Sequence, residues 1–304
     1  MNQIKKTLNI FITAGSGLLG KALLETCPAE FKLSATYFPN KPDRFPENIN
    51  FFELNITNRD SVLKSIKAIK PDIIIHTAAI GNVDFCEKNK EISWATNVDG
   101  TKNIIDAANK CNSKIIYLSS NAVFNGKRPP YKEEDEINPL SYYGETKVIC
   151  ERLIKNSGLK SVIIRAILMY GWHNSLERQN MVTWILDSVS KGVPLKIVND
   201  IYSNPLLSLN CADAIWAIIK KEKTGIFHVG GSDCLSRYEF ALKIAEIFNL
   251  DKTMLTPVPN SYFTGIASRP SNTCLCTDKM ERELDVKPIG IEEGLKILKD
   301  CINK

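Results

Sequence analysis

A tyrosine and a lysine four residues apart, in Tyr143-Gly-Glu-Thr-Lys147, are the residues of this sequence best suited to proton chemistry. On a helix that spacing puts both side chains on one face. A phenol has a pKa of about 10, too high for easy exchange at neutral pH, and a nearby ammonium stabilises the phenolate and lowers that value. The pair can then serve as an acid–base unit on a hydroxyl or a carbonyl. Upstream, Ser119 and Ser120 close an apolar run, where a hydroxyl would orient a substrate oxygen. Tyr-xxx-Lys alone also arises by chance on ordinary surface helices, so its weight depends on what accompanies it.

A glycine-rich turn accompanies it: Thr13-Ala-Gly-Ser-Gly17-Leu-Leu-Gly20 follows a strand-like segment and opens a helix-like one. Glycines let the backbone approach a pyrophosphate, and a helix N-terminus offers free N–H groups and a favourable dipole. The alternative is a glycine-rich strand-to-helix turn without a ligand. Its position in the first βα unit favours dinucleotide binding. The second strand ends Ala35-Thr-Tyr-Phe38, with no acid before Asp43 to hold a ribose 2′-hydroxyl and with Lys41 and Arg44 close by. That leans toward a 2′-phosphate and NADP(H), against the alternative of a solvated charged loop.

The elements needed to position these groups are legible as an alternation. Strands are predicted at Leu8–Thr13, Lys32–Phe38, Asn50–Ile56, Asp72–Ala79, Lys114–Ser119 and Ser161–Met169. Helices are predicted from the turn to about Thr26, over Arg59–Lys70, around Trp94–Cys111 and over Tyr142–Asn156. Continuous apolar strands alternating with helices predict an α/β fold, a Rossmann-like doubly wound parallel sheet. Beyond Tyr170 the alternation is less regular. Residues 1–170 therefore read as a dinucleotide-binding domain and 171–304 mainly as a smaller mixed substrate region, with some segments returning to the first. Trp184 and Trp216 lie on apolar helix faces and read as core, His76 as a packed strand end, and Arg165 as a group satisfying carbonyls beneath the site.

Composition excludes several classes. With 304 residues, 44% hydrophobic and 24% charged, the chain is long enough for a large core and is neither disordered nor collagenous. No apolar run approaches the ~20 residues of a membrane span, and the N-terminal stretch reads as a strand and not a signal peptide, so a cytosolic protein is expected. A net charge of +5 from 39 basic and 34 acidic residues is diffuse, which argues against nucleic acid. Nine scattered cysteines without a CxxC pair and only three histidines predict no metal site and mostly reduced, passive thiols.

Together these pieces resemble the extended short-chain dehydrogenase/reductase superfamily over nearly the whole chain. The matching segments are Thr13-xxx-Gly17-xx-Gly20, Asn55-Ile-Thr57, His76-Thr-Ala78-Ala79, Asn97-Val-Asp-Gly100, Leu118-Ser-Ser120 and Tyr143-xxx-Lys147. The resemblance implies a catalytic set of Ser120, Tyr143 and Lys147, in which Tyr143 is the general acid/base. Lys147 would hold the nicotinamide ribose and tune Tyr143, and Ser120 would polarise the carbonyl. It implies cofactor contacts from Ser16, Gly17, Leu18, Leu19, Gly20, Asn55, Ile56, Ala78, Ala79, Asn97, Tyr143 and Lys147. Ala14 stands where the superfamily turn usually has its first glycine, and Asn55 replaces an Asp near the adenine.

Within the superfamily the chain is most similar to the dTDP-4-dehydrorhamnose reductase group. The similarity lies in Ala122-Val-Phe-Asn-Gly126, Pro129–Asp135, Pro139–Lys147, Arg269-Pro-Ser-Asn272 and Thr277-Asp-Lys279. It implies NADPH-dependent reduction of a 4-keto-6-deoxy sugar attached to a nucleoside diphosphate, with NADPH favoured over NADH, and a homodimer. Asn121, Trp172 and Arg269 are the candidate substrate contacts, with His173 a further stacking candidate; a packed loop anchor or a structural arginine is the alternative for these. Ser119-Ser-Asn-Ala122 stands where the group has Ser-Thr-Asp-Tyr, and Leu168 where it often has Trp, so sugar recognition is expected to differ. Asn121-Ala122 lacks the Asp-Glu pair of the 4,6-dehydratases. A nucleotide-sugar epimerase remains a rival, as does a non-catalytic NADP-binding regulator resembling the regulatory subunit of methionine adenosyltransferase.

Overall fold

The computed structural model describes residues 7–42, 45–47, 49–172 and 178–301. Six strands, β1 (Leu8–Thr13), β2 (Phe31–Tyr37), β3 (Asn50–Glu53), β4 (Ile73–His76), β5 (Lys114–Ser120) and β6 (Ser161–Ala166), join the strand Gly225–Val229 in one sheet. The order is Gly225–Val229, β6, β5, β4, β1, β2, β3, and every pair is parallel. The chain builds outward from β1 to β3, then crosses back to β4 and builds the other way. The connections that leave the carboxyl ends of β1 and β4 therefore run to opposite faces of the sheet, opening a crevice of the kind that binds ligands in such sheets.

Side-chain alternation along each strand divides the interior in two. Ile10 and Ile12 pack with α1 (Leu18–Glu25) and the helix Ser208–Lys220 on one face. Phe11, Ile74 and Ile115 pack on the other with α2 (Arg59–Ile69). After the short helices α3 (Val83–Lys88) and α4 (Lys90–Trp94), that face is completed by α5 (Gly100–Cys111) and α6 (Tyr142–Lys155). Burial on both faces explains why these strands are continuous apolar runs. A third core, including Tyr170, Ile185, Leu195, Phe240, Ile244 and Leu295, unites the helices Met181–Ser190, Arg237–Ile247 and Ile291–Asp300 with the paired strands Leu195–Val198 and Leu255–Val258.

Several elements differ from the sequence expectation. β3 ends at Glu53, short of Ile56, because Asn55 Oδ1 accepts the Thr57 N–H (3.0 Å) and turns the chain. β4 ends at His76, and residues 77–81 leave the sheet as a loop. Trp184 is 37% exposed: its helix buries Val182, Thr183 and Ile185, and one residue's rotation from Thr183 carries the indole outward. Trp216 is core as expected, its indole N–H donating to Thr26 Oγ1 (3.0 Å). Cys234 and Cys274, 40 residues apart, form a disulfide that scattered cysteine spacing did not announce; the other seven cysteines are free thiols. Among the described residues no helix is long and apolar enough to cross a membrane.

Candidate active site

The glycine turn is built against β2. Ala14 N–H donates to Thr36 Oγ1 (3.2 Å) and Gly15 N–H to Thr36 O (2.6 Å), so Thr36, unremarked in the sequence, fastens the turn. Gly20 is compelled by packing: a Cβ there would lie 2.4 Å from Ala14 O and 2.6 Å from Gly15 Cα. At Gly17 the nearest atom to such a Cβ is Ala14 O at 3.4 Å, so that side of the turn is open. Ala14 adopts the left-handed conformation (φ 51°), a region a glycine would enter without cost, so this alanine is strained. Asn58, Asn82 and Ser141 cap α2, α3 and α6 with their side chains, whereas α1 has neither a side-chain cap nor an acid in its first turn. The first-turn amides of Leu18, Leu19 and Gly20 thus have no side-chain acceptor at the helix start, a donor set that would suit a dinucleotide pyrophosphate.

Across the crevice, the loop after β4 is held by a chain of hydrogen bonds. Thr13 Oγ1 accepts the N–H groups of Thr77 and Ala78 (3.0 Å each), which leaves its own proton for His76 Nδ1 (2.9 Å). His76 must then carry its proton on Nε2, 3.0 Å from Thr101 Oγ1, which in turn donates to Asn97 O (2.6 Å). Burial pushes His76 down to about 3, so it is neutral and structural. Asn97 lies in a π-type turn, Ala95–Asp99, and its side-chain amide accepts from Ile80 N (2.7 Å) and donates to Ile80 O (3.2 Å). The Asn97 amide is engaged by protein and positions the 77–81 loop that borders the crevice. Ala78 and Ala79 lie in that loop, partly exposed at the crevice. Ile56 is core, packed on Gly100, with its carbonyl accepting from Asn103 Nδ2 (2.9 Å), while Asn55 turns the chain beyond β3.

The two strand-end serines separate. Ser119 Oγ donates to Glu151 Oε1 (2.6 Å), and Glu151 is gripped by Arg165 through Nε (3.0 Å) and Nη2 (2.9 Å), both side chains almost fully buried. This network braces β5, β6 and α6 beneath the site, and Arg165 also reaches Glu133 O (3.0 Å). Ser120 instead accepts the Ala122 N–H (3.1 Å) and lies close enough to the Tyr143 hydroxyl to favour its ionised form. Gly144 permits this closeness, since a Cβ would lie 2.3 Å from Ala122 O. Lys147, 3% exposed, donates to Leu118 O (2.7 Å) with its Nζ 5.8 Å from the Tyr143 ring centre.

The electrostatics differ from the simple expectation of a lysine-lowered phenol. Burial pushes Tyr143 up to about 12, against the Ser120 hydrogen bond and with help from the Cys86 and Cys150 thiols. Burial likewise pushes Lys147 down to about 8. Tyr143 is therefore loaded with its proton at neutral pH, the state a proton donor needs.

Of the candidate substrate contacts, Asn121 sits beside Ser120, accepting from its Oγ (3.2 Å) and donating to Thr273 Oγ1 (2.6 Å). Trp172 donates its indole N–H to Leu298 O (2.8 Å) and packs on the third core, a loop anchor. Arg269 is not free: Nη2 pairs with Asp84 Oδ2 (2.6 Å) and Nη1 donates to Ala267 O (3.1 Å). Arg44, Asp43 and His173 lie outside the described residues, and Lys41 is exposed over the Phe45 ring. The hydroxyls of Thr13, first residue of the turn motif, and of Thr36 fasten the two sides of the crevice, roles that only their strand-end positions signal in the sequence; nothing there signals Arg237.

Comparison with known proteins bears on the same residues. Residues 8–303 match the family model described as the RmlD substrate binding domain. A dTDP-4-dehydrorhamnose reductase of Aggregatibacter actinomycetemcomitans is 33% identical over 260 residues, 82% of this chain and 87% of the relative. Methionine adenosyltransferase 2 subunit beta of Rattus norvegicus is 30% identical over 298 residues, 94% of this chain and 86% of the relative. Among solved structures, the dTDP-4-dehydrorhamnose reductase of Bacillus anthracis in complex with NADP superposes with a TM-score of 0.85 at 28% identity, covering 98% of this chain and 100% of that one.

Proposed function

The chain belongs to the RmlD substrate binding domain family, and from that premise we propose that it is an NADPH-dependent reductase of a nucleotide-linked 4-keto-6-deoxy sugar. The observation that carries the reading is the convergence of Ser120, proton-loaded Tyr143 and buried Lys147 at the carboxyl edge of the sheet, across the crevice from the uncapped start of α1.

The cofactor when bound supplies a hydride to the carbonyl carbon. Tyr143 gives its hydroxyl proton to the carbonyl oxygen as the C–O double bond opens, so ketone, hydride and proton become one alcohol. Ser120 donates a hydrogen bond to the same oxygen, stabilising charge that grows there in the transition state. Lys147, held by Leu118 O, steadies the phenolate that Tyr143 leaves behind and offers its ammonium to the ribose. Ser16 to Gly20 receive the pyrophosphate, and Asn55 with Ala78 and Ala79 border the rest of the cofactor. NADP is supported by the B. anthracis relative and by the absence of an acid at the end of β2. Residues 1–170 serve the cofactor and 171–304 mainly the substrate, which Asn121 meets beside the reacting carbon. A cytosolic setting and a homodimer complete the reading.

Following absorbance at 340 nm with NADPH and a dTDP-4-keto-6-deoxy sugar tests it. Oxidation that Tyr143→Phe abolishes supports the reading. Turnover that interconverts sugar epimers without consuming NADPH contradicts it in favour of an epimerase. The identity to a methionine adenosyltransferase subunit favours a second reading, a regulatory partner; stable capture of that synthetase without sugar reduction would select it.

A further inference from the structure

Arg237 opens the helix Arg237–Ile247, yet the helix start is satisfied without its side chain: Ser236 and Glu239 cap it reciprocally. Its backbone N–H donates to Ile201 O (3.1 Å). The guanidinium is another matter. Its Nε is buried with no hydrogen-bond partner among the described residues. The carboxylate nearby, Asp84, is already engaged by Arg269 (2.6 Å) and by the Ala267 N–H (2.9 Å). Burial and repulsion from Arg269 hold the Arg237 guanidinium down to about 10, Arg178 adding to the repulsion and Asp84 opposing it. Arg237 thus lies within the field of a carboxylate, Asp84, that Arg269 already holds. A guanidinium with a buried, unmatched N–H is destabilising, and an anion that reaches it would complete its hydrogen bonding.

The segments around Arg237 are tied to those that carry Arg269 and to the catalytic end of the sheet. The Cys234–Cys274 disulfide fastens the residues just before it to the segment just after Arg269. That segment is tied again by Tyr202, whose N–H donates to Ser271 O (2.7 Å) and whose carbonyl accepts from Thr273 N (3.2 Å). Thr273 accepts from Asn121, the neighbour of Ser120, so the frame touches the catalytic end of the sheet. On the other side, Asp84 belongs to α3, directly after the crevice loop held by Asn97 and Thr13. A guanidinium suits a phosphate because its planar fork gives paired charge-assisted hydrogen bonds.

We propose that Arg237 is a specificity-determining residue: with Arg269 locked to Asp84, the unmatched Arg237 receives the diphosphate of the nucleotide-linked substrate and selects it over the free sugar. This rests on the nucleotide-sugar reading above.

The test uses the full-length protein and isothermal calorimetry with dTDP, inorganic pyrophosphate and NADPH as separate probes. Arg237→Met is expected to weaken dTDP and pyrophosphate at least tenfold, Arg237→Lys to weaken them less, and NADPH affinity to stay within twofold in both. In turnover, KM for the nucleotide-linked ketosugar rises at least tenfold while kcat stays within threefold. The thermal midpoint of Arg237→Met is expected to equal or exceed that of the wild type, since an unmatched buried charge is removed; a merely structural arginine would lower it. Unchanged dTDP affinity in Arg237→Met, with NADPH still bound, overturns the proposal and leaves the reductase reading standing. Wild-type protein that binds NADPH but neither dTDP nor the ketosugar overturns both.

Discussion

Replacing the lysine that the mechanism needs should make the cofactor-free protein more stable. Lys147 is almost fully buried, with one backbone partner, Leu118 O, and no carboxylate in ion-pair contact among the described residues. Its ammonium is pushed from 10.5 to about 8 by desolvation, with Cys150 and Glu151 opposing. At about 1.36 kcal/mol for each tenfold change, keeping it charged at pH 7 costs the folded state roughly 3 kcal/mol. Lys147→Met removes that cost but strands Leu118 O, a loss of about 1–2 kcal/mol. The net expectation is a gain of about 1–2 kcal/mol at pH 7 in urea unfolding, with activity reduced by roughly 10²-fold or more. The pH dependence carries the sign. Above pH 8 the folded lysine is neutral while the unfolded one stays protonated until 10.5, so the wild type gains stability as pH rises through that window. The advantage of Lys147→Met therefore shrinks between pH 8 and 10.5. A Lys147→Met protein that is less stable than wild type at pH 7, by an amount constant up to pH 10, would refute the reasoning.

Other substitutions probe the frame. Gly20→Ala forces a Cβ to within 2.4 Å of Ala14 O, and should weaken NADPH binding about tenfold or more by calorimetry, because the turn must move off its pyrophosphate-ready shape. Ala14→Gly relieves a left-handed alanine and should stabilise by about 1 kcal/mol, seen as a higher thermal midpoint; a lower midpoint would count against the strain. Glu151→Ala leaves Arg165 charged and buried, with an expected loss of about 3–5 kcal/mol in chemical denaturation. Combining it with Arg165→Met should recover much of that loss, and failure to recover would show that the pair's charge is not the cause.

What was legible in the chain was what local spacing encodes. The Tyr143–Lys147 interval specifies a helix face, and α6 supplies it; the glycine turn specifies a strand-to-helix junction, and β1 with α1 form it. The doubly wound sheet followed because strands buried on both faces leave unbroken apolar runs such as Ile73–Ile75. What escaped depends on neighbours distant in sequence. The seventh strand, Gly225–Val229, is a short apolar run whose place beside β6 is set by tertiary packing. The partners that Ile80, Leu298 and Asp84 provide for Asn97, Trp172 and Arg269 are of this kind, since residue type alone does not show them. Tyr143 was expected to be lowered by Lys147, yet desolvation is the largest influence on both and pushes Tyr143 up and Lys147 down. Arg237 becomes unusual only when folding buries its Nε without a partner and brings it within the field of Arg269.

The central claim is that Tyr143 and Ser120 serve a net reduction at a sugar carbonyl, and hydrogen-isotope tracing tests it most directly. The protein would be incubated with NADPH deuterated on the nicotinamide C4 and a dTDP-4-keto-6-deoxy sugar, and the product analysed by mass spectrometry and NMR. The account predicts one deuterium on the sugar's C4 for each NADP formed with the appropriate C4 epimer of the label, and none with Tyr143→Phe. A product that carries no deuterium while NADPH stays unconsumed, or label transfer undiminished by Tyr143→Phe, would contradict it.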